Sequence, residues 1–99
     1  MRHEIVDKKL VFHLEGELNS YNAEEVEKKM EEAIALGGFE DVCFDLDNLR
    51  YMSSAGLRIV ARMNQQFEGH FSLINMPDDI YEVFVMVGFN ELLDIKRKK

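Results

Sequence analysis

Two adjacent serines, Ser53 and Ser54, are the residues of this sequence whose positions best suit chemistry. They lie between an apolar segment typical of a strand and an amphipathic segment typical of a helix. A helix start presents unpaired N–H groups and the positive end of the helix dipole. A serine there can act as a nucleophile, a cap or a phosphate acceptor. A hydrolase nucleophile elbow needs glycine two residues before its serine, and Met52 holds that position, which disfavours hydrolysis.

No other catalytic or metal-binding pattern is present in the sequence. The glycines form neither a phosphate-binding loop nor a dinucleotide fingerprint, and no pair of histidines or cysteines has zinc-site spacing. The single cysteine, Cys43, lies in an apolar run, which favours a buried structural thiol. We therefore expect a protein that is not an enzyme and needs no metal or cofactor.

The elements that position the serines follow from hydrophobic periodicity. Alternation over residues 4–6 and 10–14 predicts a hairpin, followed by a loop at 16–20. Asn22 and Glu25 have the spacing of a capping box, which predicts the start of a helix.

The later elements alternate between helix and strand. They are a helix end at Gly37-Gly38, a strand at 42–46 covered on both faces, a turn at 47–48, a helix from Ser54 to about Phe67, a strand at 71–74, a helix opening at Pro77 and stopped by Gly88, and a strand at 92–95. This order predicts an α/β fold with a mixed sheet, and a chain of 99 residues suits one domain over residues 1–99.

Charge and hydropathy restrict the partners. The formal net charge of −7 opposes general nucleic-acid binding, which normally needs a basic stripe. No apolar stretch has the length of a membrane span, and the first residues lack the apolar core of a signal peptide. We expect a soluble cytoplasmic protein that binds neither nucleic acid nor membrane, with the basic residues 96–99 as a frayed, solvated end.

The segment from Phe44 to Val60, FDLDNLRYMSSAGLRIV, resembles the signature of STAS domains, the fold shared by anti-sigma factor antagonists and the cytoplasmic tails of sulfate transporters. The resemblance extends over nearly the whole chain, through the loop at Gly16–Asn19 and the closing segment from Val87 to Leu93. It implies a single STAS-like α/β domain, with a mixed central sheet of four to five strands packed against three or four helices. Ser54 matches the serine that this family phosphorylates.

The resemblance also implies a function. An unphosphorylated antagonist binds an anti-sigma factor serine kinase and frees a sigma factor, phosphorylation at Ser54 ends the binding, and a phosphoserine phosphatase restores it. The alternative is a non-switching STAS subunit of a lipid-transport or stress-signalling assembly. The implied partner surface comprises Gly16, Asn19, Ser20, Tyr51, Ser53, Ser54 and Gly56, with Leu57, Arg58 and Arg62 as the exposed side of the second helix.

Overall fold

Five strands form one sheet whose order follows the chain. The computed structural model describes residues 1–99. The strands are β1 (Arg2–Val6), β2 (Lys9–Leu18), β3 (Asp41–Met52), β4 (Phe71–Met76) and β5 (Asp94–Arg97), and the helices are α1 (Ala23–Ala35), α2 (Ser54–Gln66) and α3 (Asp78–Met86). β1 pairs with β2 antiparallel, and every later pair is parallel. The predicted α/β fold with a mixed sheet is confirmed.

The three helices cover a single face of the sheet. Phe12, Phe44 and Leu73 from neighbouring strands belong to one buried cluster with helix residues such as Met30 and Phe84. Burying this apolar surface is the main stabilising contribution to the fold.

The opposite face of the sheet has no helical cover, so the expectation that β3 is covered on both faces is wrong. There Val11 and Cys43 are buried outside the main cluster. The polar side chains of His13 and Asp45 lie across that face and are partly exposed. Alternation along β2, β3 and β4 thus places an apolar side under the helices and a largely polar side towards solvent.

β2 and β3 are both longer than predicted, because two bulges absorb the polar residues that suggested a loop and a turn. β2 advances two residues from His13 to Glu15 while β3 advances three, from Asp45 to Asn48. A second extra residue of β3 follows Leu49. A bulge keeps two strands paired while bending them. The predicted loop at 16–20 therefore begins only after Leu18, and the predicted turn at 47–48 is strand.

The predicted capping box at the start of α1 does not form. Asn22 is the cap residue by position, but its side chain makes no bond to the first turn of the helix. Its amide is instead engaged by the preceding loop, where it contacts Asn19 and Glu17. At the other end, Gly37 and Gly38 have φ values of +69° and +86°, which confirms the predicted helix stop.

The last third of the chain differs from the predictions at its element boundaries. Pro77 precedes α3 as its cap residue and is not in the first turn. Gly88, with φ of +78°, ends α3 as predicted. A 3₁₀ turn over Phe89–Glu91 follows, and its last hydrogen bonds engage residues 92 and 93, so β5 begins at Asp94.

The basic end of the chain is bonded to the rest of the fold as far as Lys98, contrary to the prediction of a frayed end. The Arg97 guanidinium lies 2.7 Å from an oxygen of Asp78 and 4.3 Å from the centre of the Tyr81 ring. The Lys98 N–H donates to the carbonyl of Met76 at 2.9 Å. No helix is both long and apolar enough to cross a bilayer.

Candidate functional site

The two serines have different positions at the start of α2. Ser53 is the cap residue, and its Oγ accepts a hydrogen bond from the Ala55 N–H at 3.2 Å. Ser54 is the first residue of the helix, is exposed, and has a side chain without a hydrogen-bond partner. Because the capping task falls to Ser53, the Ser54 hydroxyl is free at the positive end of the helix dipole.

A backbone contact brings the loop after β2 beside this helix start. The Ser53 N–H donates to the Leu18 carbonyl at 2.9 Å, and the Ser53 carbonyl accepts from the Leu57 N–H at 3.0 Å. The end of β2 and the first turn of α2 are therefore joined through one residue. Two segments that are distant in sequence form one surface.

The loop between β2 and α1 is held by its two asparagines. The Asn19 side-chain oxygen accepts from the N–H groups of Tyr21 at 2.9 Å and Asn22 at 3.2 Å. The Asn22 side-chain oxygen accepts from the Asn19 N–H at 2.9 Å, and its amide nitrogen donates to the Glu17 carbonyl at 2.8 Å. Asn19 thus positions the loop, since the atoms by which it would contact a partner are engaged internally.

Gly56 and Leu57 face the interior. A Cβ at Gly56 would lie 2.6 Å from Cγ of Met52 and 3.0 Å from Cγ of Leu18, so glycine is needed for close packing inside the chain. Leu57 is buried, because it lies three residues before Val60 on the stripe of α2 that faces the core. The expectation that Leu57 is exposed is therefore wrong. The atoms that approach Gly56 closely belong to Met52 and Leu18 of this chain and not to a partner.

A shallow groove separates α1 from α2 next to the serines. Its volume is about 380 Å³, and its lining includes Ser20, Ala55 and Arg58. An ion pair across it joins the Arg62 guanidinium to the Glu27 carboxylate at 2.6 Å. Arg58 is exposed and has no ion-pair partner, so it is the free cation of this surface.

The predicted partner residues do not all lie together. Ser20, Arg58 and Arg62 line the groove, and Ser54 lies at the helix start beside Ala55, which also lines it. Tyr51, which is 50% exposed, lies at the end of β3. Gly16 lines a different depression, with Pro77 and Lys98, that shares no residue with the groove.

Sequence reasoning missed Tyr21. The residue is 96% exposed, more than any other large hydrophobic residue of the chain, and it lies in the loop that reaches the groove. An aromatic residue inside the polar run Asn19–Asn22 was the available signal.

No histidine contacts either serine. The two ring nitrogens of His13 face carboxylate oxygens of Glu4 at 2.9 Å and Asp45 at 3.1 Å. His70 contacts a carboxylate near the amino end of β3, and His3 lies against a core aromatic ring. The serines therefore have no adjacent base of the kind that activates a hydrolase nucleophile.

Cys43 lies under the uncovered face of the sheet. Burial raises the pKa of its thiol above the ordinary value of 9.0, against the opposing effect of a hydrogen bond with Ser72. A reactive cysteine needs a lowered pKa and exposure, so this thiol has the character of a structural residue. No group of three or more potential ligands is arranged to hold a metal ion.

Comparison with known proteins gives matches that extend over the whole chain or nearly all of it. A sequence model of the STAS domain matches residues 1–99. BtrV of Bordetella bronchiseptica, provisionally named an anti-sigma factor antagonist, is 33% identical over an aligned length of 97 residues, and the match covers 95% of this chain and 83% of BtrV. The anti-sigma F factor antagonist of Paenibacillus polymyxa is 26% identical over 89 residues, covering 87% of this chain and 76% of that protein.

Solved structures show the same fold. The anti-sigma factor antagonist SpoIIAA in its unphosphorylated form matches with a TM-score of 0.77 at 23% identity, over 95% of this chain and 85% of SpoIIAA. A Thermotoga maritima protein described as a possible antagonist matches with a TM-score of 0.86 at 17% identity, over 96% of this chain and 84% of that one.

Proposed function

This chain belongs to the STAS domain family, and from that premise we propose that it is an anti-sigma factor antagonist switched by phosphorylation of Ser54. In the unphosphorylated form it binds an anti-sigma factor that is a serine kinase, and so frees a sigma factor. The kinase modifies Ser54 and releases the chain, and a phosphoserine phosphatase restores binding. The chain acts in the cytoplasm as a substrate and a binding partner, not as an enzyme.

The division of roles between the two serines carries this proposal. Ser53 caps α2, while Ser54 is exposed and has no side-chain bond. Phosphate on Ser54 therefore removes no capping bond. A kinase can modify it without opening the fold.

Electrostatics indicates how the phosphate acts. It brings about −1.5 to −2 charges at pH 7, and a helix N-terminus tolerates an anion. The fold should therefore persist. A charge that loses its water at an interface without a partner is costly, so the phosphate weakens binding where the partner covers Ser54.

The arginines near Ser54 differ in their availability. Arg62 is held by Glu27 across the groove, whereas Arg58, four residues after Ser54, has no ion-pair partner. Residues four apart on a helix are neighbours, so Arg58 is the cation that interacts with a phosphate on Ser54. We assign Ser20, Tyr51, Arg58 and Arg62 to the contact surface around Ser54.

Phosphorylation by candidate kinases tests the proposal. The chain is incubated with purified anti-sigma factor kinases and ATP, and intact mass and peptide mapping identify the product. One phosphate on Ser54 is expected, with none on Ser53, Ser20 or Ser72, and Ser54→Ala should remain unmodified. Modification of Ser53 instead would mean that the phosphorylated residue is assigned one position too late. Binding to a transport or signalling assembly without modification would favour the non-switching subunit.

A further inference from the structure

Tyr21 is exposed without serving the fold. The residue is almost fully exposed, so the ring buries almost no surface against this chain. Single exposed apolar residues are common on protein surfaces, and exposure alone assigns no role. The backbone that carries Tyr21 and the surface next to it give the residue its significance.

The loop holds Tyr21 in a fixed place. The Tyr21 N–H donates to the side-chain oxygen of Asn19, and Asn22 bonds back to both Asn19 and the Glu17 carbonyl. The backbone under the ring is thus ordered before any partner arrives. Binding then has to order only the side chain, and preorganisation of this kind lowers the entropic cost of association.

Tyr21 adjoins the proposed contact surface. The preceding residue, Ser20, lines the α1–α2 groove together with Ala55 and Arg58. Arg58 has no ion-pair partner, so it is available to an acidic group outside this chain. Tyrosine and arginine, together with tryptophan, are enriched among the residues that dominate binding energy at protein interfaces.

We propose that Tyr21 is the principal anchor by which this chain binds its anti-sigma factor. The ring enters an apolar pocket of the partner, and Arg58 pairs with an acidic side chain at the rim of that pocket. Asn19 acts as a positioning residue that keeps the anchor in place. This inference rests on the proposed function and adds the chemistry of the partner surface to it.

The test compares Tyr21 with another exposed apolar residue. The probe is the purified kinase that phosphorylates Ser54, supplied with ADP so that no phosphate is transferred, and binding is measured by calorimetry. Tyr21→Ala should weaken binding at least tenfold, about 1.4 kcal/mol. Tyr21→Phe should retain most of the affinity. Leu36→Ala is the matched control, since Leu36 is 82% exposed just beyond the C-terminal end of α1 and should have no effect.

A variant at Arg58 tests the acidic side chain proposed at the rim of the partner's pocket. Arg58→Ala should slow association most at low salt, because an exposed charge steers the encounter of two proteins. A loss of affinity that is independent of salt would contradict the assignment of an acidic group to the partner.

Each remaining outcome decides the anchor. If the wild-type chain is phosphorylated and bound but Tyr21→Ala binds equally well, or if Leu36→Ala is equally damaging, the anchor is wrong while the proposed function stands. If Tyr21→Ala only dissociates a dimer of this chain in sedimentation, the occupant is a second copy and the anchor is wrong. If no kinase binds or modifies the wild-type chain, the proposed function fails and the anchor fails with it.

Discussion

The Ser53 N–H donates to the Leu18 carbonyl across 2.9 Å, so a single hydrogen bond ties the cap of α2 to the end of β2. The same serine caps the helix with its hydroxyl oxygen. The loop that carries Ser20 therefore lies beside the exposed Ser54. The candidate site depends on this junction, and its energetics can be separated from its function.

The two serines should respond differently to substitution. Ser53→Ala removes the bond to the Ala55 N–H and should lower the free energy of unfolding by about 1 kcal/mol. Ser54→Ala removes no bond and should leave that free energy nearly unchanged, which urea denaturation of both variants measures. A larger loss from Ser54→Ala than from Ser53→Ala would show that the assignment of cap and free serine is reversed.

Replacement of Gly56 by alanine, which adds only a methyl group, should destabilise the fold. Alanine normally stabilises a helix interior relative to glycine by about 1 kcal/mol. Here its Cβ would lie 2.6 Å from buried Met52, and overpacking costs about 1 to 3 kcal/mol. Gly56→Ala should therefore lower the midpoint of urea unfolding. A gain in stability would mean that Met52 and Leu18 move aside at little cost.

Asn19 should tolerate aspartate better than alanine. Aspartate keeps an acceptor for the N–H groups of Tyr21 and Asn22. It replaces the amide donor that lies 3.3 Å from the Glu17 carboxylate by a second carboxylate oxygen, but this contact is exposed and the repulsion is screened by solvent. Asn19→Ala loses both acceptor bonds and should destabilise the chain by about 1 kcal/mol. Amide hydrogen exchange at Tyr21 reads the loop directly. Equal loss of protection in both variants would refute the positioning role.

The raised pKa of the Cys43 thiol should make the fold less stable at alkaline pH. Because burial raises the pKa of the folded thiol, the unfolded chain ionises first as pH rises past the ordinary value of 9.0. The thiol's contribution is complete below that pH and declines above it. The difference in unfolding free energy between wild type and Cys43→Ala should therefore be smaller near pH 10 than near pH 7. A difference that is independent of pH would contradict the raised pKa.

The sequence was sufficient where a local pattern determines structure. Apolar alternation located β1 and β2, and a nearly continuous apolar run located β3. Gly37 and Gly88 located two helix ends, because only glycine adopts positive φ without steric cost. Helical spacing placed Arg58 and Arg62 on the exposed side of α2.

The errors came from tertiary context. The bulges that extend β3 depend on pairing with β2, and no local pattern distinguishes them from a turn. The side chain of Asn22 has two competing sets of partners, and the loop outcompetes the predicted cap. Tyr21 stands out in the sequence as an aromatic residue in a polar run, but its position beside the α1–α2 groove follows only from the folded chain.

The central claim is tested most directly by comparing how tightly the kinase binds the chain with and without phosphate on Ser54. The chain is prepared unmodified and fully phosphorylated on Ser54, and calorimetry at moderate salt gives the Kd of each. The phosphorylated form should bind at least tenfold more weakly, about 1.4 kcal/mol, with circular dichroism and Tm nearly unchanged. Ser54→Asp, which carries less charge, should give a smaller loss. Equal Kd values for the two forms would contradict the switch and leave Ser54 as an exposed serine without control of the contact.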